Sequence, residues 1–167
     1  GSGASLTIEA GAVVKFAPLT GITVKEGALL RAPGTAAQPI CFTSNRDDLR
    51  GGDTNQDQGD TQPLAGDWRT IYAEGGEIVM DHVRIQYGGG TTGGSYEWGA
   101  GLLRTGGAGR LTIADSVLQD SLFEGIHATG GGMIAVTNCV LASCDRAVNG
   151  DGASALLVQC TFYKHRI

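Results

Sequence analysis

The sequence predicts an all-β protein, a parallel β-solenoid with about 23 residues per coil and roughly six to seven coils. Two observations carry this prediction. The segments 99–121, 122–144 and 145–167 align with one another in their apolar and glycine positions, with at most a one-residue slip in the last. Within each segment, short runs such as Leu111-Thr112-Ile113 alternate between apolar and polar side chains, as half-buried strands do.

The turns between these runs are rich in glycine. Gly106-Gly107, Gly130-Gly131-Gly132 and Gly150-Asp151-Gly152 separate successive apolar runs. No segment has the length and 3.6-residue periodicity of a capped amphipathic helix. Helical repeats are therefore excluded, and each coil is expected to contain about three short strands.

Stacking of the segments predicts columns of inward side chains along the rod. Four columns, in coil order, contain Ile78, Leu111, Ile134 and Leu156; Met80, Ile113, Val136 and Val158; Val83, Ser116, Cys139 and Thr161; and Ile85, Leu118, Leu141 and Tyr163. A further strand supplies Ile71, Leu103, Ile126 and Val148. Each fully buried side chain would contribute roughly 1.5–3 kcal/mol, so these columns are the expected core.

The composition argues against nucleic-acid binding, a membrane span and a zinc site. The chain has 167 residues, 28 glycines and a net charge of −5. Without a basic patch, nucleic acid is not an expected partner. No apolar run approaches the roughly 20 residues that span a bilayer. The four cysteines match no zinc pattern, and we expect small buried side chains with at most one disulfide bridge.

The expected organisation is a single solenoid domain over residues 6–167, with insertions at 45–65 and 88–98. Residues 1–5 have the composition of a tag remnant. The chain stops in mid-repeat with no cap visible, so the sequence predicts a fragment of a longer protein. Its open ends are then expected to contact the remainder of that protein or another chain.

Several segments resemble coils of right-handed parallel β-helix proteins. They are Leu6–Phe16, Gly27–Thr35, Pro39–Ser44 and Gly66–Trp68. The similar group is the set of secreted bacterial β-helix proteins, many of them adhesin-like, whose fold is shared with pectate lyases. The resemblance covers most of residues 5–165 and implies the fold, a secreted or cell-surface location in bacteria, and a calcium-type acidic loop. It does not imply one activity, because the same solenoid hosts enzymes, adhesins and structural stalks.

The insertion at 45–65 interrupts the repeat with oxygen-bearing side chains. Its candidate calcium ligands are Asp48, Asp53, Asn55, Asp57 and Asp60. Calcium takes six to eight oxygen ligands, which carboxylates, an amide and backbone carbonyls can supply. The similar family has glycines where this chain has Gln56 and Gln58, and no glutamate completes an EF-hand. The alternative is a solvated acidic loop whose Asn and Asp residues serve turns. A metal here would have a structural role.

Outward columns supply a second candidate site. Tyr72, Arg104, His127 and Asn149 align on one strand position, and Tyr96 and Trp98 lie in the second insertion. Aromatic rings stack on sugars, while Arg, His and Asn bind hydroxyls or carboxylates, so these six residues are candidate polysaccharide or cell-surface glycan ligands. The alternative is that any solenoid presents polar side chains outward.

Three functions remain open. The first is a non-catalytic, calcium-stabilised module used for adhesion or polysaccharide binding. The second is a fragment of a polysaccharide lyase or glycoside hydrolase. No recognisable catalytic motif supports it, and its candidate carboxylate pairs are Glu74 with Asp151 and Asp81 with Asp115. The third is a self-assembling or partner-completed solenoid.

Overall fold

The computed structural model describes residues 3–91 and 101–165. These residues form strands and no helix, and the strands lie in three parallel sheets. The predicted all-β fold is therefore confirmed, and the arrangement is consistent with a right-handed parallel β-helix.

The strands pass from the first to the second to the third sheet in strict rotation along the chain. The first sheet contains β1 (Ser5–Thr7), β4 (Leu29–Pro33), β7 (Glu77–Asp81), β10 (Arg110–Ala114), β13 (Met133–Thr137) and β16 (Ser154–Val158). The second contains β2 (Val13–Phe16), β5 (Ile40–Ser44), β8 (Val83–Gln86), β11 (Val117–Gln119), β14 (Val140–Ala142) and β17 (Thr161–Tyr163). The third contains β3 (Ile22–Lys25), β6 (Ile71–Glu74), β9 (Gly101–Gly106), β12 (Glu124–Thr129) and β15 (Arg146–Asp151).

In the described chain, the first and second sheets have six strands each and the third has five. These strands make just under six coils. The period is not constant. Leu111 pairs with Ile134, 23 positions later, whereas Ile134 pairs with Ala155, only 21 positions later. The 23-residue period therefore describes one step of the rod, and turns of different length set the others.

The third-sheet column is confirmed: Ile71 pairs with Leu103, Leu103 with Ile126, and Ile126 with Val148. Three of these side chains are fully buried, as a core column requires.

The predicted registers of the last coil are wrong by one residue in the first two sheets. Ala155 and Leu157, not Leu156 and Val158, continue the two first-sheet columns. Phe162, not Tyr163, pairs with Leu141. Likewise Cys160, not Thr161, comes next to Cys139, because Thr161 pairs with Val140. A shift of one residue moves each side chain to the opposite face of a strand.

Both predicted insertions leave the rod at the same corner. Residues 45–70 connect β5 to β6, and residues 87–100 connect β8 to β9, so both join the second sheet to the third. The corner is filled by aromatic rings: Trp68 is fully buried, and its ring centroid lies 4.4 Å from that of Phe16. This corner places the acidic loop (residues 45–65) beside the second sheet.

The four cysteines are free thiols, and Cys41, Cys139 and Cys144 are buried. They therefore act as small core side chains, as expected, without a bridge among them.

Candidate functional site

The base of the acidic loop is fixed to the rod by the buried carboxylate of Asp47. Its Oδ2 accepts a hydrogen bond from Thr43 Oγ1 at 2.7 Å and another from Gln86 Nε2 at 2.8 Å. The Asp47 residue is 2% exposed. Since hydrogen bonds to a charged group are stronger than neutral ones, this contact ties the loop to strands β5 and β8.

The other end of the loop is held by Asp67. Its carboxylate accepts hydrogen bonds from Ser44 Oγ at 2.7 Å and from Arg46 Nη1 at 3.1 Å. The backbone N–H of Asp67 also donates to the Tyr87 carbonyl at 2.9 Å. Both ends of the loop are therefore anchored by protein groups, and only its tip depends on other interactions.

At the tip, the carboxylates of Asp48, Asp53 and Asp57 converge. Each offers an oxygen, and these oxygens lie within 4.8 Å of one another. Asn55 is next to them, because its Nδ2 donates to Asp57 Oδ2 at 2.7 Å. Asp60 is exposed and lies outside this carboxylate cluster, although its backbone N–H donates to the Asp57 carbonyl at 3.1 Å. The structure thus brings together four of the five predicted ligands.

Backbone donors shape the same tip. Asp53 accepts hydrogen bonds from the N–H groups of Asp57 and Gln58, at 3.2 and 3.0 Å. Gln56 and Gln58 adopt left-handed backbone conformations, with φ of 59° and 57°. Those are the two positions where the similar family has glycine, and left-handed φ is the conformation that glycine favours. The loop therefore makes the turn without glycine there.

The carboxyl groups at the tip of the loop have pKa values shifted in opposite directions. Burial raises the pKa of Asp48 above its ordinary value, and the carboxylates of Asp53 and Asp57 raise it further. The hydrogen bond from the Thr61 hydroxyl lowers the pKa of Asp57. Repulsion among converged carboxylates is the condition that a bound cation relieves.

Two oxygens at the tip lack a partner within the described chain. Asp48 Oδ1 and Asn55 Oδ1 are buried and accept no hydrogen bond. A buried polar atom without a partner costs free energy, and both atoms are of the hard oxygen type that calcium binds. The residues present therefore fit a calcium ion, with Asp48, Asp53, Asn55 and Asp57 as the side chains that would hold it.

The polar row, defined as Tyr72, Arg104, His127 and Asn149, occupies outward positions of the third sheet. Tyr72, Arg104 and Asn149 are partly exposed, whereas His127 is only 5% exposed and therefore buried. The four residues pair in sequence across β6, β9, β12 and β15. The Arg104 guanidinium lies 4.7 Å from the centre of the Tyr72 ring, a cation–π contact. Asn149 Nδ2 lies 3.3 Å from His127 Nδ1. Tyr96 and Trp98 lie outside the described residues.

Glu124 belongs to this surface, although the sequence did not single it out. It is 2% exposed, and its Oε1 accepts hydrogen bonds from Arg146 Nη1 and Asn149 Nδ2, both at 3.2 Å. Its Oε2 lies 3.9 Å from His127 Nδ1 and accepts no hydrogen bond in the described chain. The alignment of Glu124 with Arg146 in neighbouring coils is the sequence signal that would have identified this ion pair.

Burial lowers the pKa of His127, against the opposing effect of Glu124. An amide N–H beside Nδ1 fits a neutral imidazole, in which that nitrogen accepts. This surface therefore combines the neutral ring of His127 with the buried carboxylate of Glu124. It also contains Arg104, whose Nε lacks a partner in the described residues.

A second cluster lies at the corner between the first and second sheets. Single oxygen or nitrogen atoms of Asp81, His82 and Asp115 lie within 4.8 Å of one another. His82, Asp115, Asn138 and Gln159 follow each other along this corner and all have φ between 46° and 53°. Asn, Asp and His are enriched in left-handed conformations, so backbone geometry accounts for the residue types here. Gln159 occupies the last position of this corner, because Thr137 pairs with Val158.

The candidate carboxylate pair Glu74 and Asp151 is not brought together. Both lie in one third-sheet column, with Gly106 and Thr129 between them. Three steps of about 4.8 Å exceed the 6.5–9.5 Å that separates the carboxylates of an inverting glycosidase. Glu74 instead forms an ion pair with Lys25.

No helix in the described ranges is long and apolar enough to cross a membrane. Comparison of the chain with protein-family models, with curated proteins and with solved structures finds no match.

Proposed function

We propose that this chain is a non-catalytic, calcium-stabilised β-helix module of a secreted or cell-surface bacterial protein, which binds polysaccharide through its polar row. The observation that carries the calcium part is the pair of buried, unpartnered oxygens of Asp48 and Asn55 beside three converged carboxylates. Since Asp47 and Asp67 already fix the ends of the loop, calcium orders its tip and does not attach the loop to the rod.

Calorimetric titration of calcium into chelator-treated protein tests the metal. We expect heat on binding and a higher melting temperature, because a ligand that binds only the folded state stabilises it by mass action. Asp48→Asn should weaken binding, whereas Glu77→Gln, an exposed carboxylate on the first sheet, should leave it unchanged. Affinity should also fall as the pH falls through the raised pKa of Asp48, since the proton and the cation compete. A titration without heat and without a shift in melting temperature contradicts the proposal.

The glycan part rests on the outer face of the third sheet. Tyr72 and Arg104 are partly exposed there, and an aromatic ring with a guanidinium stacked on it suits the hydroxyl or carboxylate groups of a polysaccharide. A glycan array with the wild-type chain should show binding that Arg104→Gln removes. Arg110→Gln, on the exposed face of the first sheet, is the matched control. Equal signals from both variants would place binding elsewhere.

A polysaccharide lyase or hydrolase is the second candidate, and the observation favouring it is the buried carboxylate of Glu124 beside His127. Incubation with pectin and alginate decides between the two functions. Release of unsaturated or reducing sugar that Glu124→Gln abolishes would establish catalysis, and binding without release supports the non-catalytic module.

A further inference from the structure

We propose that Cys139 and Cys160 form a disulfide bridge under oxidising conditions, and that this bridge ties two neighbouring coils of the rod together. Both residues are thiols in the structure. Cys139 directly precedes β14, and Cys160 directly precedes β17. This inference is independent of calcium and of glycan binding, because it rests only on contacts between these two coils.

The two cysteines occupy the same position in neighbouring coils. Val140 pairs with Thr161 in a parallel register, so the residues just before them, Cys139 and Cys160, are neighbours. The Cys139 carbonyl also accepts a hydrogen bond from the Thr161 N–H at 2.8 Å. Neighbouring strands lie about 4.8 Å apart, within the roughly 4.4–6.8 Å that separates the Cα atoms of most disulfides. The spacing of the backbones therefore permits a bridge.

Both side chains point into the rod. Cys139 is buried in the hydrophobic core, and Cys160 packs against the same core. The thiol of Cys160 donates a hydrogen bond to the Val136 carbonyl at 3.5 Å, and Val136 belongs to the coil of Cys139. The Cys139 thiol is directed in the same way toward the Ile113 carbonyl, one coil earlier, at 3.8 Å. The Cys160 sulfur thus already reaches toward the coil of its partner.

Closing the bridge requires the Cys139 side chain to rotate. Its Sγ has to turn from the coil before it toward Cys160, which is a change between staggered positions about the Cα–Cβ bond. In-register Cβ atoms are about 4.8 Å apart, slightly more than the roughly 3.5–4.5 Å of a relaxed disulfide. A strained disulfide is more easily reduced, so the bridge is expected to be reversible.

The other two cysteines are not placed for an equivalent pair. Cys41 pairs with Val13 and Arg84 in the second sheet. Cys144 follows β14, at the opposite end of that strand from Cys139. Oxidation should therefore join one pair of cysteines and leave two thiols.

Glutathione disulfide is a suitable oxidant, and the reaction is thiol–disulfide exchange. One cysteine thiolate attacks a sulfur of glutathione disulfide, whose S–S bond breaks and releases a glutathione thiolate with the electron pair. The second cysteine thiolate attacks the protein sulfur of this mixed disulfide and releases the second glutathione thiolate. Two protein thiols are oxidised, one glutathione disulfide is reduced, and the two glutathione thiolates take up the protons that the cysteines lose.

The exchange should be slow at neutral pH. Burial raises the pKa of Cys139 to about 11, so little of its reactive thiolate is present there. The rate should rise with pH as that fraction increases.

Peptide mapping of the full chain after incubation with glutathione disulfide, at about pH 8.5, tests the proposal. We expect one cross-linked peptide pair that joins Cys139 to Cys160, a loss of two hydrogen masses from the intact chain, and free thiols at Cys41 and Cys144. The oxidised chain should melt roughly 5 °C or more above the reduced chain, because the bridge restricts the unfolded state. A dithiol reductant should reverse this shift.

Two variants separate the bridge from other effects of oxidation. Cys160→Ala should lose both the cross-link and the shift in melting temperature, whereas Cys41→Ala should keep both. A chain that retains four thiols, both as the native protein and after refolding in the same buffer, overturns the proposal. So does a lasting glutathione adduct at Cys160, a cross-link between another pair, or a shift in melting temperature that persists in Cys160→Ala.

Discussion

The indole of Trp68 lies against the backbone of Gly88, at the corner where both insertions leave the rod. A Cβ on Gly88 would come within 2.6 Å of the Trp68 ring. The Trp68 Nε1 also donates a hydrogen bond to the Gln86 carbonyl at 2.9 Å, so the ring is held from two sides. Trp68 lies in the segment that connects β5 to β6, and Gly88 lies in the segment that connects β8 to β9. The two connections therefore pack against each other as one unit.

Gly88→Ala should destabilise the protein by about 1–3 kcal/mol, because the new methyl group forces a fully buried ring to move. For a chain of this size that corresponds to a fall in melting temperature of roughly 2–4 °C per kcal/mol. Gly150→Ala is the matched control, since a Cβ there meets no atom within 4 Å. Thermal denaturation followed by circular dichroism measures both, and equal melting temperatures would contradict the packing described.

Asp47→Ala should destabilise the protein by about 2–3 kcal/mol, because Gln86 and Thr43 lose the charged acceptor that they share. The loss should make the acidic loop more sensitive to limited proteolysis. Asp60→Ala removes an exposed carboxylate from the same loop and serves as the control. Urea denaturation and protease cleavage rates provide the two measurements. Similar free energies of unfolding for both variants would refute the anchoring role.

His127 should make the stability depend on pH in mildly acidic solution. Its folded pKa is lowered by burial, so the unfolded chain takes up the proton first, and stability is lost as pH falls below the ordinary histidine pKa of about 6.5. Arg104 and Arg146 add to the lowering, while Glu124 and Asp151 oppose it. His127→Gln should flatten the melting temperature between about pH 6.5 and 5. Met133→Gln, an exposed site that does not titrate, should keep the wild-type slope; parallel slopes in all three proteins would rule out this role.

Thiol reactivity should separate Cys160 from the other cysteines. Burial raises the pKa of Cys41, Cys139 and Cys144 to about 11, which leaves little reactive thiolate at pH 8. Cys160 is only partly buried. Mass spectrometry after brief alkylation should show one adduct at Cys160, absent from Cys160→Ser, and four adducts after unfolding. Four native adducts forming at one rate would show that the core is open.

The repeated apolar and polar pattern was sufficient in the third sheet, although successive steps there span 32, 23 and 22 positions. It placed Ile71, Leu103, Ile126 and Val148 in one column, and it aligned the polar row correctly, because one-dimensional stacking repeats the same local pattern at each step. It failed in the last coil, which returns to the first sheet after 21 positions. The run Leu156-Leu157-Val158 is apolar in either register, so the pattern could not choose which residue points inward.

The residues of the candidate sites also fall into two groups: some could be recognised from the sequence, and others only from contacts between coils. Asp53, Asn55 and Asp57 were recognisable from the spacing of oxygen-bearing residues in one loop. Glu124 was not, because its role depends on Arg146 and Asn149 from the next coil. The anchoring of the loop by Asp47 was equally hidden, since its partner Gln86 is 39 positions away.

By itself, the sequence determined that this chain is a stacked all-β array with an acidic insertion, because strand alternation, glycine turns and repetition are local properties. The tertiary structure decided the register of the last coil, the common corner from which both insertions emerge, and the convergence of Asp48 with Asp53 and Asp57. These depend on the length of each turn and on contacts between coils, which bring together residues that no local pattern connects.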